Sequence, residues 1–284
     1  MTNIDQFESV FKAASKPVFE FTPVHIRRVL LVTDLQKIEA ESYAGRVRSF
    51  LKAIGSSDHV DWRVVSATDF ATVGELLERV DAEKPDVICS YRNLHSTAWR
   101  WPHSLGVHLD VLTQVTDHPV LVLPHPGDEG GALPLSTSCV MAITDHMAGD
   151  ARLVNVAADM TAPGGRLLLT HVEDEATFER YIDAISKIPD IETQAAREAI
   201  LHQLLKEPHD YIRSCREVLE AQKLPLKLEE IVGMGHHLSD YRRLIEEHQV
   251  DLLVLNTKDE GQLAMHGVAY ALTVELRRIP LLML

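Results

Sequence analysis

The amino-acid sequence predicts two tandem α/β domains, each built on a parallel sheet with helices on both faces. Short continuous apolar runs alternate with stretches of helical periodicity, which is typical of parallel strands buried on both faces. The chain also repeats itself, since each half opens on an apolar run that ends in Thr-Asp, at Asp34 and at Asp145. Each half closes on a glycine, a helix-like stretch, a proline and an apolar run, beginning at Gly106 and at Gly267. We therefore expect two similar units in one chain.

The first half is predicted to hold four strands joined by three helices. The strands are expected at residues 28–33, 60–66, 86–90 and 119–123, and the helices at 38–54, 72–83 and 105–116. A fifth strand at the sheet edge is expected at residues 18–21. Ahead of it, residues 4–14 are expected to form a short helix that covers apolar surface with Phe7 and Phe11.

The second half is predicted to hold five strands and an insertion. The strands are expected at residues 139–144, 166–172, 226–232, 251–256 and 280–284, and the helices at 148–160, 238–248 and 265–278. Residues 173–222 have no counterpart in the first half and are expected to form two or three inserted helices. A segment rich in Pro, Gly and Ser lies between the halves and is predicted to be a linker. The predicted boundaries are 1–125, 126–138 and 139–284.

Composition limits the classes of partner. The formal net charge of −14 makes nucleic acid an unfavourable partner and disfavours anionic membrane surfaces. No apolar run is long enough to cross a bilayer, and the start of the chain does not look like a signal peptide. The cysteines, Cys89, Cys139 and Cys215, are far apart and form neither a disulfide framework nor a metal-binding knuckle. We expect a cytoplasmic protein without a metal site.

These features resemble the universal stress protein family in its tandem form. The opening strands end near an Asp, at Asp34 and Asp145, and the pair His171-Val172 matches the His-Val that commonly ends the second strand of the family. The glycine and proline that frame the last helix keep the family spacing in both halves. The resemblance covers nearly the whole chain except the insertion and the N-terminal tail. It implies a Rossmann-like fold of the adenine nucleotide α hydrolase type.

One class of the family binds ATP through Gly-x-x-Gly, nine residues and then Gly-Ser, and this chain departs from that motif. Only the last glycine is present, at Gly106 and Gly267, and Val107 and Val268 stand in place of the serine. The sequence therefore leaves the cofactor unknown, with weak binding of ATP or AMP as an expectation that the resemblance implies. The candidate ligand-binding residues are Asp34, Arg92, Asn93, Arg100, His103, Gly106, Val107, Asp145, Val172 and Gly267.

Most of these residues have a structural interpretation beside the functional one. Asp34 and Asp145 could contact a ribose or a base, or cap the helix that follows. Gly106 and Gly267 could expose helix amides to an anion, or only allow close packing, which we favour for Gly267.

Two further clusters have the same ambiguity. The loop after the third strand of the first half could bind an anionic ligand, with a tryptophan stacking on a base, or be an ordinary exposed loop. Its cationic and aromatic residues are Arg92, His95, Trp99, Arg100, Trp101 and His103. His236 and His237 could be a metal pair, but a helix start capped by Ser239 or Asp240 is the favoured interpretation.

Three functions remain open at this point. The leading one is a stress-related regulator that binds a small ligand and signals through a protein partner, and no catalytic motif favours an enzyme. The others are a weak ATP-hydrolysing switch and a structural interaction module that uses the insertion as its partner surface. We also predict that the halves pair through their apolar last strands, because an exposed apolar edge would aggregate. A homodimer is a further expectation. An anionic ligand is expected in the first half, since Asp259 and Glu260 oppose phosphate in the second.

Overall fold

A computed structural model of the chain describes residues 18–55, 60–98, 104–128, 132–144, 147–257 and 267–284. In these ranges, nine strands form one sheet in the order β2-β1-β3-β4-β9-β8-β5-β6-β7. The strands are β1 Arg28–Val32, β2 Asp61–Val65, β3 Val87–Tyr91, β4 Val120–Leu123, β5 Cys139–Ile143, β6 Gly165–Asp174, β7 Leu226–Gly235, β8 Leu252–Leu255 and β9 Leu281–Met283. The predicted α/β fold class with parallel sheets is confirmed.

Helices connect the strands wherever the sequence predicts them. They are α1 Lys37–Phe50, α2 Val73–Glu83, α3 Val107–Val115, α4 Ala151–Met160, α5 Glu175–Ile185, α6 Thr193–Ala221, α7 His237–His248 and α8 Gly267–Glu275. A short 3-10 helix, Lys52–Gly55, follows α1. Among the described residues, no helix combines the length and the apolar character that crossing a bilayer would require.

In each half of the sheet, the spatial order of the strands reverses at the first strand of that half. In the first half β1 lies between β2 and β3, and in the second half β5 lies between β6 and β8. The chain leaves β1 towards β2 on one side, whereas the neighbouring β3 leads to β4 on the other side, and β5 and β8 diverge in the same way. Connections that diverge from adjacent strands open a crevice at the carboxyl ends of the strands. We call the side of the sheet where these strand ends lie the carboxyl edge.

The two halves meet through their last strands. All other paired strands of the described sheet run parallel, but β4 and β9 run antiparallel, with Leu121 opposite Leu282. Every residue of both strands is buried, so the centre of the nine-stranded sheet is continuous core. The pairing through apolar last strands that the sequence predicts is present in the structure.

The same carboxylate contact orders the sheet in both halves. Asp86 accepts a hydrogen bond from the backbone N–H of Arg28 at 2.8 Å, and Asp251 accepts one from that of Cys139 at 2.8 Å. Each aspartate thereby fixes the start of the first strand in its half, β1 or β5. The residues that end the preceding helices, Lys84 and Gln249, both adopt the left-handed conformation, with φ of 45° and 52°. These details place residues 84–86 and 249–251 in equivalent positions.

The predicted edge strand at residues 18–21 is wrong, because residues 18–27 form a strap that pairs with no strand and contacts the second half. Phe19 is 1% exposed, its ring packs edge-on against Tyr211 at 6.4 Å, and its N–H donates to Ser214 Oγ at 3.3 Å. Thr22 N–H donates to Asn155 Oδ1 at 3.2 Å. A sequence pattern could not reveal this, since the strap is stabilised by side chains of the other half. The predicted helix at 4–14 lies outside the described residues.

The insertion forms two helices, α5 and α6, and the second of them has two parts. The buried residues of α6 all lie in its C-terminal part and include Pro208, Tyr211 and Leu219. This part packs against β7 and β6 in the position of the crossover helix that parallel strands require. The N-terminal part of α6, up to Glu207, has no buried residue and pairs with α5 instead. The true addition to the domain is therefore α5 with the N-terminal part of α6.

Candidate functional site

A hydrogen-bonded cluster lies at the carboxyl edge of the first half. Tyr91 is the last residue of β3, and Asp34 follows β1, the strand next to it. The Tyr91 hydroxyl donates to the Asp34 carboxylate and forms a 2.6 Å hydrogen bond with Thr33 Oγ1. The other Asp34 oxygen accepts from the backbone N–H of His95 at 2.8 Å. Burial, reinforced by the bond to Asp34, raises the pKa of Tyr91, so that the hydroxyl remains a donor at neutral pH.

Asp34 therefore does not cap the helix after it. The residue that precedes α1 is Gln36, and no side chain caps that end. The Asp34 carboxylate instead holds the loop that follows β3, where His95 has a left-handed φ of 57°. The capping interpretation of Asp34 is thus wrong. The side-chain hydrogen bonds of Asp34 described above are all internal to the first half.

Aromatic rings surround this cluster. The Phe70 ring lies 4.8 Å from that of His95 and 5.5 Å from that of His108, and His125 packs edge-on against Tyr91 at 4.9 Å. Burial lowers the pKa of both His108 and His125, so both are neutral at pH 7. The Nε2 atom of His108 is buried and has no hydrogen-bond partner among the described residues. Among the described residues, the cluster thus offers the imidazole rings of His95, His108 and His125, the last two of them neutral, over the buried rings of Phe70 and Tyr91.

Arg92 is directed away from this cluster, which differs from the ligand contact predicted for it. Its side chain is 4% exposed, and its guanidinium donates to the backbone carbonyls of Thr273 and Leu276 at the end of α8. Burial, with a smaller effect from nearby Arg277, lowers the pKa of Arg92 to about 10, and the group stays protonated at pH 7. A cation at a helix C-terminus is favourable, because the last carbonyls carry partial negative charge. Arg92 therefore joins the halves.

Asn93 and Gly106 form a close backbone contact. Both have positive φ, 59° and 85°, and Asn93 N–H donates to the Leu105 carbonyl at 2.8 Å. A Cβ on Gly106 would lie 2.7 Å from Asn93 Cα, so no other residue fits there. Packing is thus a sufficient reason for this glycine, and Asn93 is buried beneath it. Val107, the first residue of α3, is 69% exposed and takes no part in the contact between Asn93 and Gly106.

At the carboxyl edge of the second half, described groups of β6 and α7 are bonded to one another. The carbonyl of Val172, near the end of β6, accepts a hydrogen bond from His237 Nε2 at 2.8 Å. Val172 was predicted to contact a ligand, and its carbonyl is instead bound to a side chain of the protein. His171 is buried, with its ring nitrogens 3.3 Å from the Thr144 carbonyl and 3.3 Å from a Glu173 carboxylate oxygen. The packing interpretation of Gly267 is not supported, because no described atom lies within 4 Å of a Cβ built there.

Helix α7 begins one residue earlier than the sequence predicts, and its N-cap residue is His236, without a side-chain cap, rather than Ser239 or Asp240. Asp240 accepts a hydrogen bond from the backbone N–H of His236 at 2.8 Å, and Ser239 donates to the carbonyl of the same residue at 3.1 Å. The His236-His237 pair thus belongs to a helix start. Within the described ranges, no group of three His, Cys, Asp or Glu residues is placed to hold a metal ion.

Several predicted residues lie outside the described residues, so their predicted roles stay predictions. They are Trp99, Arg100, Trp101, His103, Asp145, Asp259 and Glu260.

No pattern in the sequence predicted the ring cluster. Phe70, Tyr91, His108 and His125 come from separate segments of the first half, and no spacing in the chain connects them. The one available signal was the polar end of an otherwise apolar strand, at Ser90-Tyr91, since carboxyl ends of parallel strands meet in space.

No protein-family model matches the chain, and no curated protein matches it significantly. Solved structures are similar to it. A protein of unknown function from Pseudomonas aeruginosa PAO1 has 12% identity and a TM-score of 0.49, over 91% of this chain and 92% of that one. A putative universal stress protein from Pseudomonas aeruginosa UCBPP-PA14 has 12% identity and a TM-score of 0.48, over 91% and 93%. A universal stress protein from Archaeoglobus fulgidus DSM 4304 has 14% and 0.45, over 91% and 85%.

Proposed function

We propose that this chain is a universal stress protein-like regulator that binds a small ligand at the carboxyl edge of its first half and acts through protein contacts. The observation that carries the proposal is the cluster of Asp34, Tyr91 and His95 at the strand reversal. Parallel α/β sheets bind their ligands in the crevice at such a reversal. The tandem arrangement with boundaries 1–125, 126–138 and 139–284 is part of the proposal.

The chemistry of the cluster favours a particular kind of ligand. The rings of His95 and His108 offer stacking surface in front of the buried Phe70 ring, and Asp34 offers a carboxylate to a hydroxyl or amino donor. Positive charge is less available than the sequence indicated, because the Arg92 guanidinium is bonded to the second half. We therefore infer that the ligand is a planar heterocycle carrying polar donors, such as a nucleoside or AMP, rather than a triphosphate.

Native mass spectrometry of freshly purified protein, followed by calorimetry with adenosine, AMP and ATP, tests this function. We expect adenosine or AMP to bind at least as tightly as ATP. Replacing the carboxylate, by Asp34→Asn, is expected to weaken that binding about tenfold, since a hydrogen bond to a charged group contributes roughly 1.5 kcal/mol or more. The matched control is Asp183→Asn, at an exposed carboxylate paired with Lys187 on the insertion. An equal affinity in both variants, or no binding of any of the three, would contradict the proposal.

A second candidate function is an interaction module that uses the insertion. Large apolar side chains are exposed on α5 and in the turn after it, with Tyr181 56% exposed and Ile188 46% exposed. The ATP-hydrolysing switch has less support, because the phosphate contact expected from Arg92 is replaced by bonds inside the protein. Absence of any bound ligand in the native mass spectrum would favour the interaction module.

A further inference from the structure

A second concave surface lies in the other half, on the opposite side of the sheet from the carboxyl edge. It is a groove of about 500 Å³ between the C-terminal parts of α7 and α8, beside the segments that enter β8 and β9. Its lining residues are Arg242, Ile245, Glu246, Val250, Glu275, Leu276, Arg277, Arg278 and Ile279. Small-molecule sites in proteins have volumes of roughly 300–1,000 Å³, so the groove has the size of a ligand site.

The floor of the groove is apolar. Ile245 and Val250 are each 9% exposed, and Leu276 and Ile279 are each 8% exposed. Most of the core around them has exposures near zero, so these four side chains are places where the core reaches the surface. Covering such surface with an apolar group is favourable, because it removes the remaining area from water.

The rim of the groove is rich in arginine. Arg242, Arg277 and Arg278 line it together with two glutamates, Glu246 and Glu275, which leaves one positive charge in excess. In the ion pair between Arg242 and Glu246, the nitrogen and oxygen atoms are 3.7 Å apart, and both side chains are largely exposed. Such a pair contributes little stability, so an anion can compete for the arginine. A local positive excess is unexpected in a chain with a net charge of −14.

The first half shows that the fold does not need these arginines. Alignment of Asp86 with Asp251, whose contacts are equivalent, places Leu77 opposite Arg242. Alignment of Pro119 with Pro280, which precede the paired last strands, places Thr116 and Asp117 opposite Arg277 and Arg278. None of the three positions carries a cation in the first half. The shared architecture is therefore built without this charge, and the arginines of the second half need another reason.

We propose that this groove binds a small amphipathic anion, a carboxylate or monophosphate with an apolar body. The apolar body lies on Ile245, Val250, Leu276 and Ile279, and the anionic group pairs with Arg242 and Arg278 at the rim. Guanidinium groups bind carboxylates and phosphates through paired hydrogen bonds, which suits both head groups. This site is separate from the one proposed at the carboxyl edge and does not depend on it.

Calorimetry on the full chain with four probes tests the proposal. The probes are octanoate, octyl phosphate, inorganic phosphate and octylammonium. We expect the two amphipathic anions to bind at least tenfold more tightly than either inorganic phosphate or octylammonium, since only they satisfy both the floor and the rim. The difference between octanoate and octyl phosphate identifies the preferred head group. Methyl resonances of Ile245 and Ile279 are expected to shift on titration.

A pair of double variants locates the site. Arg242→Ala with Arg278→Ala is expected to weaken the tighter anion at least tenfold. Arg180→Ala with Arg213→Ala removes the same charge from exposed positions on the insertion and is expected to change the affinity less than twofold. Equal weakening in both double variants would overturn the proposal. So would octylammonium binding as tightly as octanoate, or failure of both amphipathic anions to bind at millimolar concentration.

Discussion

At the scale of single residues, Arg92 shows how a side chain that looks like a ligand contact can serve the structure. Its guanidinium replaces water on the Thr273 and Leu276 carbonyls, at a helix end that the other half of the chain supplies. The charge is buried, yet it is hydrogen-bonded to groups of opposite partial charge. The side chain therefore stabilises the contact between halves.

Replacing Arg92 by alanine should test this role. The variant leaves two carbonyls buried without a donor, and we expect it to lose about 2–4 kcal/mol of unfolding free energy. Lysine at this position should recover little of the lost unfolding free energy, because a single ammonium group does not reproduce the two-pronged geometry of the guanidinium. Urea unfolding provides the measurement, with Arg213→Ala as the control, since that arginine belongs to an exposed pair expected to contribute less than about 1 kcal/mol. Similar losses in the two variants would show that Arg92 does not stabilise the junction.

The sequence predicted identities at the site better than orientations. It placed Asp34 at the end of the first strand, where the cluster lies, because a polar residue after an apolar run marks a strand end. It could not show that Arg92 turns to the second half, since its partner carbonyls are about 180 residues away along the chain. Gly106 had two interpretations because the sequence does not show how the loop after β3 folds back to place the Asn93 backbone against it.

At the scale of elements, helix α6 combines a crossover with an addition. Its C-terminal part covers β6 and β7, and its N-terminal part extends beyond the sheet to pair with α5. Pro208 marks the boundary, and because proline lacks an N–H it removes one hydrogen bond of the helix there. We therefore expect the two parts to open independently.

We predict that amide hydrogen exchange changes abruptly within α6. Residues 210–219 should exchange at least tenfold more slowly than residues 196–206, because only the former are held by buried contacts. A ligand or partner that acts through the insertion should slow exchange in 175–206 and leave 210–219 unchanged. Uniform protection along the helix would contradict the division at Pro208. Rapid exchange over the whole insertion, unaffected by any ligand or partner, would argue against its role as a partner surface.

At the scale of the whole molecule, the β4–β9 junction makes one sheet out of two halves. Leu121 and Leu282 face each other at its centre, and both are nearly inaccessible to solvent. Strands that pair in this way leave no exposed apolar edge at the middle of the sheet. Neither half is expected to keep its solubility when the junction is broken.

Removing residues 281–284 should therefore cause aggregation or separate the halves. The deletion exposes the edges of both β4 and β8 and removes three buried apolar side chains, at a cost of more than about 5 kcal/mol. Light scattering after gel filtration, with a thermal melt, measures the outcome. Leu135→Ala serves as a control, since that side chain is 94% exposed. If the truncated protein keeps the oligomeric state and the melting temperature of the full chain, the role given to the junction is wrong.

Most of the sheet could be predicted because its signals are local. Apolar runs locate strands, and the repeated glycine-to-proline spacing identified the last strands of both halves, which made their pairing predictable. The strap at residues 18–27 could not be found in this way. Its apolar residues, such as Phe19, read as a strand, and only a tertiary contact with Tyr211 explains them.

That strap has a consequence for the order of events during translation. The bond between Phe19 N–H and Ser214 Oγ joins residues 195 positions apart. At about 5–20 residues per second, a ribosome needs roughly 10–40 s to produce the second partner after the first. The first half can assemble its own strands in that interval, but the strap must wait, with the Phe19 ring exposed to water. The N-terminal segment therefore reaches its final contacts only after helix α6 has been made. Until then the nascent chain exposes an apolar side chain, which is the kind of group that chaperones bind.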